Sequence, residues 1–274
     1  MRVESERHEG GEVRALLRQW RSARGKSQLN VALEAGISQR HLSFIESGRS
    51  TPSRDMLIAI AETLEMPLRE RNALLLAAGY APVYAETGWD DAVMRSITSA
   101  VDRMLRAQEP YPAVLMDRYW NVIAANAASP RFFGHFIDMH AGTEPRNLLH
   151  LMFDPAGMRP FIHDWETASR SLIRRVHREA VGHVIDDRTR ELLDALHAYP
   201  GVAREPEVTA PQDAAVDLPM IPLSFVRDGI VLNYFSMVTT VGTPQTTAAE
   251  ELRVECLFPA DDLTEKQHLS LMQP

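Results

Sequence analysis

The stretch Ser27–Pro52, SQLNVALEAGISQRHLSFIESGRSTP, decides the fold of the first third of this chain. Ser27 is a good N-cap, because its hydroxyl accepts one of the backbone N–H groups that a helix start leaves unpaired, and a helix from Gln28 to Ala35 is expected. Gly36 stops it. Ile37 follows as an apolar plug, Ser38 caps a second helix from Gln39 to Ser47 with Leu42 and Ile45 inward, and Gly48 ends it. This spacing leaves Gln39, Arg40, Ser43 and Ser47 on the outer face. Gln and Arg are the side chains that make paired hydrogen bonds to adenine and guanine edges, and here they stand on the first turn, the part of a groove-reading helix that meets bases.

The flanks predict more helix. Val13, Leu16, Leu17 and Trp20 recur at three- and four-residue intervals in an amphipathic first helix that Gly25 closes. Thr51-Pro52-Ser53 breaks the chain and caps a fourth helix with Met56, Leu57, Ile60, Ala61 and Leu64 as its apolar residues. Pro67 suits the first turn of a fifth, running to about Ala78, with Leu68, Leu74 and Leu75 inward. The expected unit is an all-α bundle of five short helices.

Through Gln28, Ala32, Gly36, Ile37, Ser38, Leu42, Ile45, Glu46, Gly48 and Pro52, residues 12 to 80 resemble the XRE-type (Cro/repressor-like) helix-turn-helix family. The resemblance implies a lambda-repressor-like fold with double-stranded DNA as partner and assigns roles residue by residue. Gln28 matches the position that touches the phosphate backbone and buttresses the first recognition residue. Ser38, at the head of the recognition helix, joins the DNA-facing set. Gln39, Arg40, Ser43 and Phe44 match positions that face bases or thymine methyls. Arg49 lies in the following loop, where a cation reaches a phosphate and fixes register without reading sequence. Phe44 departs from the polar residue of many relatives, and either a thymine-methyl contact or inward packing is open to it. Glu46 reads as a buried structural carboxylate. A helical bundle that binds only protein is the alternative reading.

The composition of the 274 residues, 45% hydrophobic and 24% charged, is that of an ordinary globular protein. The net charge of −8 divides unevenly. Residues 1–80 hold 12 Lys/Arg against 10 Asp/Glu, and residues 81–274 hold 17 against 27. A weakly basic reader on an acidic body should bind random DNA loosely and depend on base contacts and on a homodimer. The single cysteine, Cys256, excludes an intrachain disulfide and lies in a strand pattern as a buried thiol. With no apolar run of 18 residues and no leader pattern, a cytoplasmic protein that does not enter membranes is expected.

Gly79-Tyr80-Ala81-Pro82 and then Glu86-Thr87-Gly88 form a turn-rich connection, which places a reader domain at 1–82 and a second domain at 83–274. Asp90 to Gln108 keeps helical spacing in Val93, Ile97, Val101, Met104 and Leu105, as a linker or dimer-forming helix. Ala113–Asp117 and Trp120–Ala124 are short apolar runs around Arg118 and Tyr119, a predicted hairpin leading to a turn at Asn126 and a Phe-rich helix. Residues 145 to 199 read as helices, with Phe153, Phe161, Trp165, Leu172, Ile173, Val176, Leu192, Leu193 and Leu196 apolar. Met220–Arg227 and Ile230–Thr240 flank Asp228-Gly229, a dipeptide that favours a type I′ hairpin with Ile221, Leu223, Phe225, Ile230, Leu232 and Tyr234 on one face. A third run, Glu251–Phe258, alternates Leu252, Val254 and Cys256 with Arg253, Glu255 and Leu257. This is an α+β order with an antiparallel sheet covered by helices.

The pieces VLMDRYWNVIAANAA (Val114–Ala128), NLLHLMFDP (Asn147–Pro155) and PFIHDW (Pro160–Trp165) resemble the MmyB-like regulator ligand-binding domain, over roughly residues 90 to 260. That family implies a PAS-like fold whose cavity holds a long apolar effector of fatty-acid type. The candidate ligand residues are Trp120, Phe132, Phe133, Phe136, Phe161, His163, Trp165, Phe225 and Tyr234; for any single aromatic a plain core role is the commoner one, and for His163 a helix cap or surface role is the alternative. Catalysis has no support in the residues. His135 and His140, or His177 and His183, lack metal-site spacing, and no HExxH, GxSxG, P-loop or dinucleotide turn occurs. The expectation is a DNA-binding transcription regulator with a ligand-sensing second domain and no enzymatic activity, metal or cofactor. A ligand-binding protein or enzyme of unknown substrate is the remaining alternative.

Overall fold

The computed structural model describes residues 2–85, 92–139, 146–180, 186–203, 222–242, 244 and 246–273. Asp90, His140, His183, Met220, Ile221 and the Glu86–Gly88 turn lie outside the described residues. The chain forms two compact units, one of residues 1–88 with 177–186 and 243–250, the other of residues 89–176, 187–242 and 251–274.

The first unit contains α1 (Arg2–Ala23), α2 (Gln28–Glu34), α3 (Gln39–Ser47), α4 (Arg54–Thr63) and α5 (Leu68–Ala77). Three serines cap as their positions require: Ser27, Ser38 and Ser53 accept from the backbone N–H of Asn30, His41 and Met56. Pro67 is the N-cap of α5 and lies just outside its first turn. Val13, Leu17, Trp20, Val31, Leu42, Ile45, Leu57, Ile60, Leu74 and Leu75 fill one core, with Ile37 packed against its edge. The buried amide of Asn72 holds the chain after α5 by accepting from Val83 N and Tyr84 N and donating to Tyr84 O.

The second unit is built on β1 (Ala113–Met116), β2 (Val122–Ala125), β3 (Pro222–Arg227), β4 (Ile230–Thr240) and β5 (Arg253–Pro259), in the antiparallel order β2-β1-β5-β4-β3. Its helices are α6 (Ala92–Ala107), α7 (Ala128–Gly134), α8 (Leu148–Phe153), α9 (Trp165–Glu179, most of which belongs here) and α10 (Asp187–His197). The short α11 (Thr247–Glu251) lies in the β4–β5 connection, and α12 (Asp262–Leu271) follows β5. This is the expected α+β, PAS-like arrangement. Asp228 and Gly229 take φ 51° and 79° and set Arg227 opposite Ile230, so the predicted type I′ hairpin forms. Leu223, Phe225, Leu232 and Tyr234 are buried on one face, while Ile230, at the strand end, is exposed.

Strand register carries that face across β5. Tyr234 opposes Pro259, Ser236 opposes Leu257 and Val238 opposes Glu255, while Val114 of β1 opposes Glu255 from the other side. The helix-covered face of β5 is therefore made by Glu255 and Leu257. Cys256 points the other way, half-buried. Burial, then the Glu255 charge, raise the pKa of its thiol, which leaves it a poor nucleophile.

Two buried polar networks join the elements. Asn126 Oδ1 accepts from Ala113 N (3.1 Å), Ser129 N (3.1 Å) and Ser129 Oγ (2.9 Å), and Asn126 Nδ2 donates to Leu105 O (3.2 Å) and Tyr111 O (2.8 Å). One side chain thus ties the end of α6, the start of β1 and the start of α7. In the second network, His268 of α12 must donate from Nε2 to Pro110 O (2.9 Å), which leaves Nδ1 to accept from Tyr234 Oη (2.7 Å).

His268 is fully buried, and desolvation lowers its pKa below 6.5, with the nearby His135 acting in the same sense against the Pro110 bond. A depressed folded pKa means that the unfolded chain binds the proton more readily, so this contribution is complete above 6.5 and is lost as pH falls through the folded value. Desolvation lowers the pKa of His150, hydrogen-bonded to Tyr199, as well, and the sign is the same. Urea midpoints of the full chain should therefore fall as pH drops below about 6.5, and H268Q, which keeps a donor and an acceptor, should flatten the slope. An unchanged slope in that variant would remove His268 from the account.

Candidate functional site

Recognition chemistry in the first unit is concentrated on α3. Gly36, at φ 69°, turns the chain out of α2, and Ile37 N bonds back to Ala32 O at 2.9 Å. Gln39 and Arg40 then emerge exposed on the first turn. The Ser38 hydroxyl oxygen is occupied by His41 N, but its O–H remains free to donate to a phosphate. Phe44 is half-buried, and the Arg40 and Arg49 guanidiniums lie over its ring at 5.2 and 5.9 Å. Ser43 is half-buried beside it. Among the described residues neither Arg40 nor Arg49 forms an ion pair, so both charges are available to an anionic partner.

Gly48 ends α3 in the left-handed region at φ 77°, with Arg49 N returning to Phe44 O at 2.8 Å. A Cβ on Gly48 would come within 2.5 Å of Arg14 Nη1, so this glycine also makes room for a guanidinium from α1. Nothing in the local sequence of α1 and α3 announces that approach.

Behind α3 lies the Glu46 carboxylate, 2% exposed. Arg21 grips it from Nε (2.7 Å to Oε1) and Nη2 (3.0 Å to Oε2), Gln28 Nε2 donates to Oε2 at 2.7 Å, and Arg18 Nη2 donates to the Glu46 carbonyl. Burial alone would raise the Glu46 pKa; the Arg21 and Gln28 bonds outweigh it and the pKa is lowered. Glu46 is thus a structural carboxylate, and the Gln28 amide is directed into the fold toward it.

In the second unit a small apolar cavity lies between sheet and helices. Trp120, Phe133, Leu149, Met152, Leu172, Val114, Leu223 and Leu257 line it, with Glu255 as its one charged wall. Its free volume, about 20 Å³, holds one water at most. Trp120 reaches it through a residue at φ 68°, a left-handed conformation that costs a non-glycine about 1 to 3 kcal/mol. Asp117 holds the turn by accepting from Tyr119 N (2.8 Å) and Asn121 N (3.0 Å), while Leu148 N donates to Trp120 O at 2.9 Å.

The other candidate ligand residues are distributed differently. Phe132 is fully buried with Phe133, Phe136, Phe225 and Tyr234 ring to ring around it at 5.3 to 5.5 Å, which is filled core. Phe136 also borders an open groove of about 340 Å³ beside the hairpin end, shared with His135, Arg227 and Leu271. Phe161 is half-buried against Phe136, and Trp165 packs on Phe153 at 5.0 Å. His163 is exposed, and its backbone N–H donates to Ser224 O. Two buried charged groups were absent from the candidates: Arg175 of α9 and Glu255, joined at 2.8 and 3.2 Å, with Arg175 over the Trp120 ring at 4.4 Å.

The first unit is a helix-turn-helix bundle and the second an α+β domain with a small internal cavity. Residues 17–71 match the helix-turn-helix family, and residues 97–271 match the MmyB-like transcription regulator ligand binding domain. The chain belongs to the MmyB-like regulators. A comparison with curated proteins finds no match. Among solved structures, one titled "Structure of an RNA-binding Light-Oxygen-Voltage Receptor" aligns at 11% identity and a TM-score of 0.30, over 96% of this chain and 61% of that one. A likeness that slight guides neither fold nor partner. No described helix is long and apolar enough to cross a membrane, and no cluster of metal-ligating side chains occurs among the described residues.

Proposed function

We propose that this protein is a cytoplasmic, homodimeric operator-binding regulator, without enzymatic activity, whose second domain (83–274) senses an apolar effector of fatty-acid type and alters DNA binding by the first (1–82). The observation that carries the DNA half is the exposure of Gln39 and Arg40 on the capped first turn of α3, with Arg40 and Arg49 in no ion pair among the described residues. Gln39, Arg40, Ser43 and Phe44 face bases; Ser38 and Arg49 serve the DNA backbone, and Gln28, with its amide committed to Glu46, seats α2 against α3 rather than reaching a phosphate with its side chain. A two-fold dimer engages half-sites about one helical turn apart. The effector binds one arrangement of the dimer better than the other, and that difference in affinity sets occupancy of the operator.

The near-filled cavity supports the sensing half in a specific way. Its walls are apolar apart from Glu255, and an acyl chain enters only if the helices move off the sheet, so occupancy and conformation are linked. The test is a salt-dependent titration on the protein's own upstream DNA, before and after co-purified lipid is stripped. Specific binding that changes with lipid supports both halves; specific binding indifferent to lipid overturns the sensing half; no preference over random duplex overturns the DNA half. R40A should cost about 1 to 3 kcal/mol at the specific site and little on random DNA if Arg40 pairs with a base edge. Equal losses on both would make it a phosphate contact.

A further inference from the structure

The one charged group on the cavity wall fixes what the far end of an apolar ligand can be. Glu255 lies on the central strand β5, opposite Val114 and Val238, with its carboxylate on the helix-covered face. Arg175 holds both oxygens but does not itself line the cavity, because its guanidinium is turned against the Trp120 ring. A carboxylate offers about four acceptor positions. Arg175 fills two, and among the described residues no other donor reaches Glu255.

The cavity therefore presents unfilled acceptor capacity of a buried anion, surrounded by Val114, Phe133, Leu149, Met152 and Leu172. A group that donates a hydrogen bond there gains a charge-assisted bond in an apolar enclosure. An ionised acid would instead bring a second carboxylate beside the first.

We propose that the sensor binds an apolar chain that ends in a hydrogen-bond donor, a hydroxyl or an amine, with that donor docked on Glu255. This rests on the reading that the cavity takes an apolar effector: the chain resembles that of a fatty acid, and Glu255 selects the end group.

The test is calorimetric titration of the lipid-stripped full chain with decanol, decylamine and decanoate, each below its micelle-forming concentration. Decanol and decylamine should bind at least about tenfold more tightly than decanoate. E255Q, which puts a donor where an acceptor stood, should narrow or invert that order. Should E255Q fail to fold because Arg175 is left unpaired, the double variant R175M/E255M removes the buried pair together and should bind the three probes by chain alone. Decanoate binding as tightly as decanol, or a preference that survives both variants, would overturn the donor-end assignment and leave the apolar-effector reading standing. If none of the three binds, that reading fails too, and Glu255 faces only water.

Discussion

E46Q should destabilise the reader by about 3 kcal/mol and abolish measurable operator binding near the top of the native temperature range. The substitution keeps the shape of residue 46 and removes its charge, leaving the Arg21 guanidinium, only 20% exposed, without its counter-ion. Gln28 loses its acceptor in the same step, or must share a neutral one. Because Glu46 is on α3 and Arg21 on α1, the damage falls on the seating of the recognition helix. Amide exchange along α3 should accelerate more than exchange along α5, and a uniform change would argue against a local clamp. Replacing both partners, as R21M/E46L, should recover much of the loss, since a buried pair contributes less than its rupture costs. Acid should imitate E46Q. With its folded pKa held below 4.5, Glu46 contributes fully above that value and less as pH falls through the folded one.

N126L should cost the second unit about 4 kcal/mol, read as a shift in the urea midpoint at constant slope. Leucine keeps the branching of asparagine without its polar atoms, and its bulkier methyls add to the cost at a buried site. What is lost is five hydrogen bonds to three elements, and the stranded groups include Leu105 O and Tyr111 O, which need a donor, whereas Ser129 N keeps the main-chain carbonyl of residue 126. N126D tests which side of the amide matters. It keeps an acceptor but presents an anion to two carbonyls, so it should be at least as damaging as leucine; a mild effect would mean that water enters.

Local chemistry made much of this legible. Ser27, Ser38, Gly36 and Gly48 set the ends of α2 and α3 to within a residue, because caps act on their own neighbours, and Asp228-Gly229 set a hairpin for the same reason. Elements whose logic is long-range were hidden. α12 buries Thr264 and His268 and exposes Leu263 and Leu269, the reverse of an amphipathic pattern, since His268 is there to serve Tyr234 and Pro110. Glu255 shares its strand parity with Arg253 and reads like a solvent-facing residue until the pairing with β4 turns that parity inward. The one trace of its partner is a cation, Arg175, among Leu172, Ile173 and Val176 on the inner stripe of α9. Aromatic composition likewise pointed to a cavity but could not separate Trp120 and Phe133, on its wall, from Phe132 and Phe225, which fill the core.

The Phe44 ring has a bearing on how fast and how cleanly the reader docks. An arginine free in water samples many rotamers, and holding it still opposes association by about 2 kcal/mol. Arg40 and Arg49 already rest over one aromatic surface, so part of that disorder is surrendered when the protein folds rather than when it meets the duplex. Removing the ring would leave both cations in place yet oblige each to be immobilised anew at every encounter, and the resulting weakness would carry an entropic penalty on top of any contact the ring itself makes with a base.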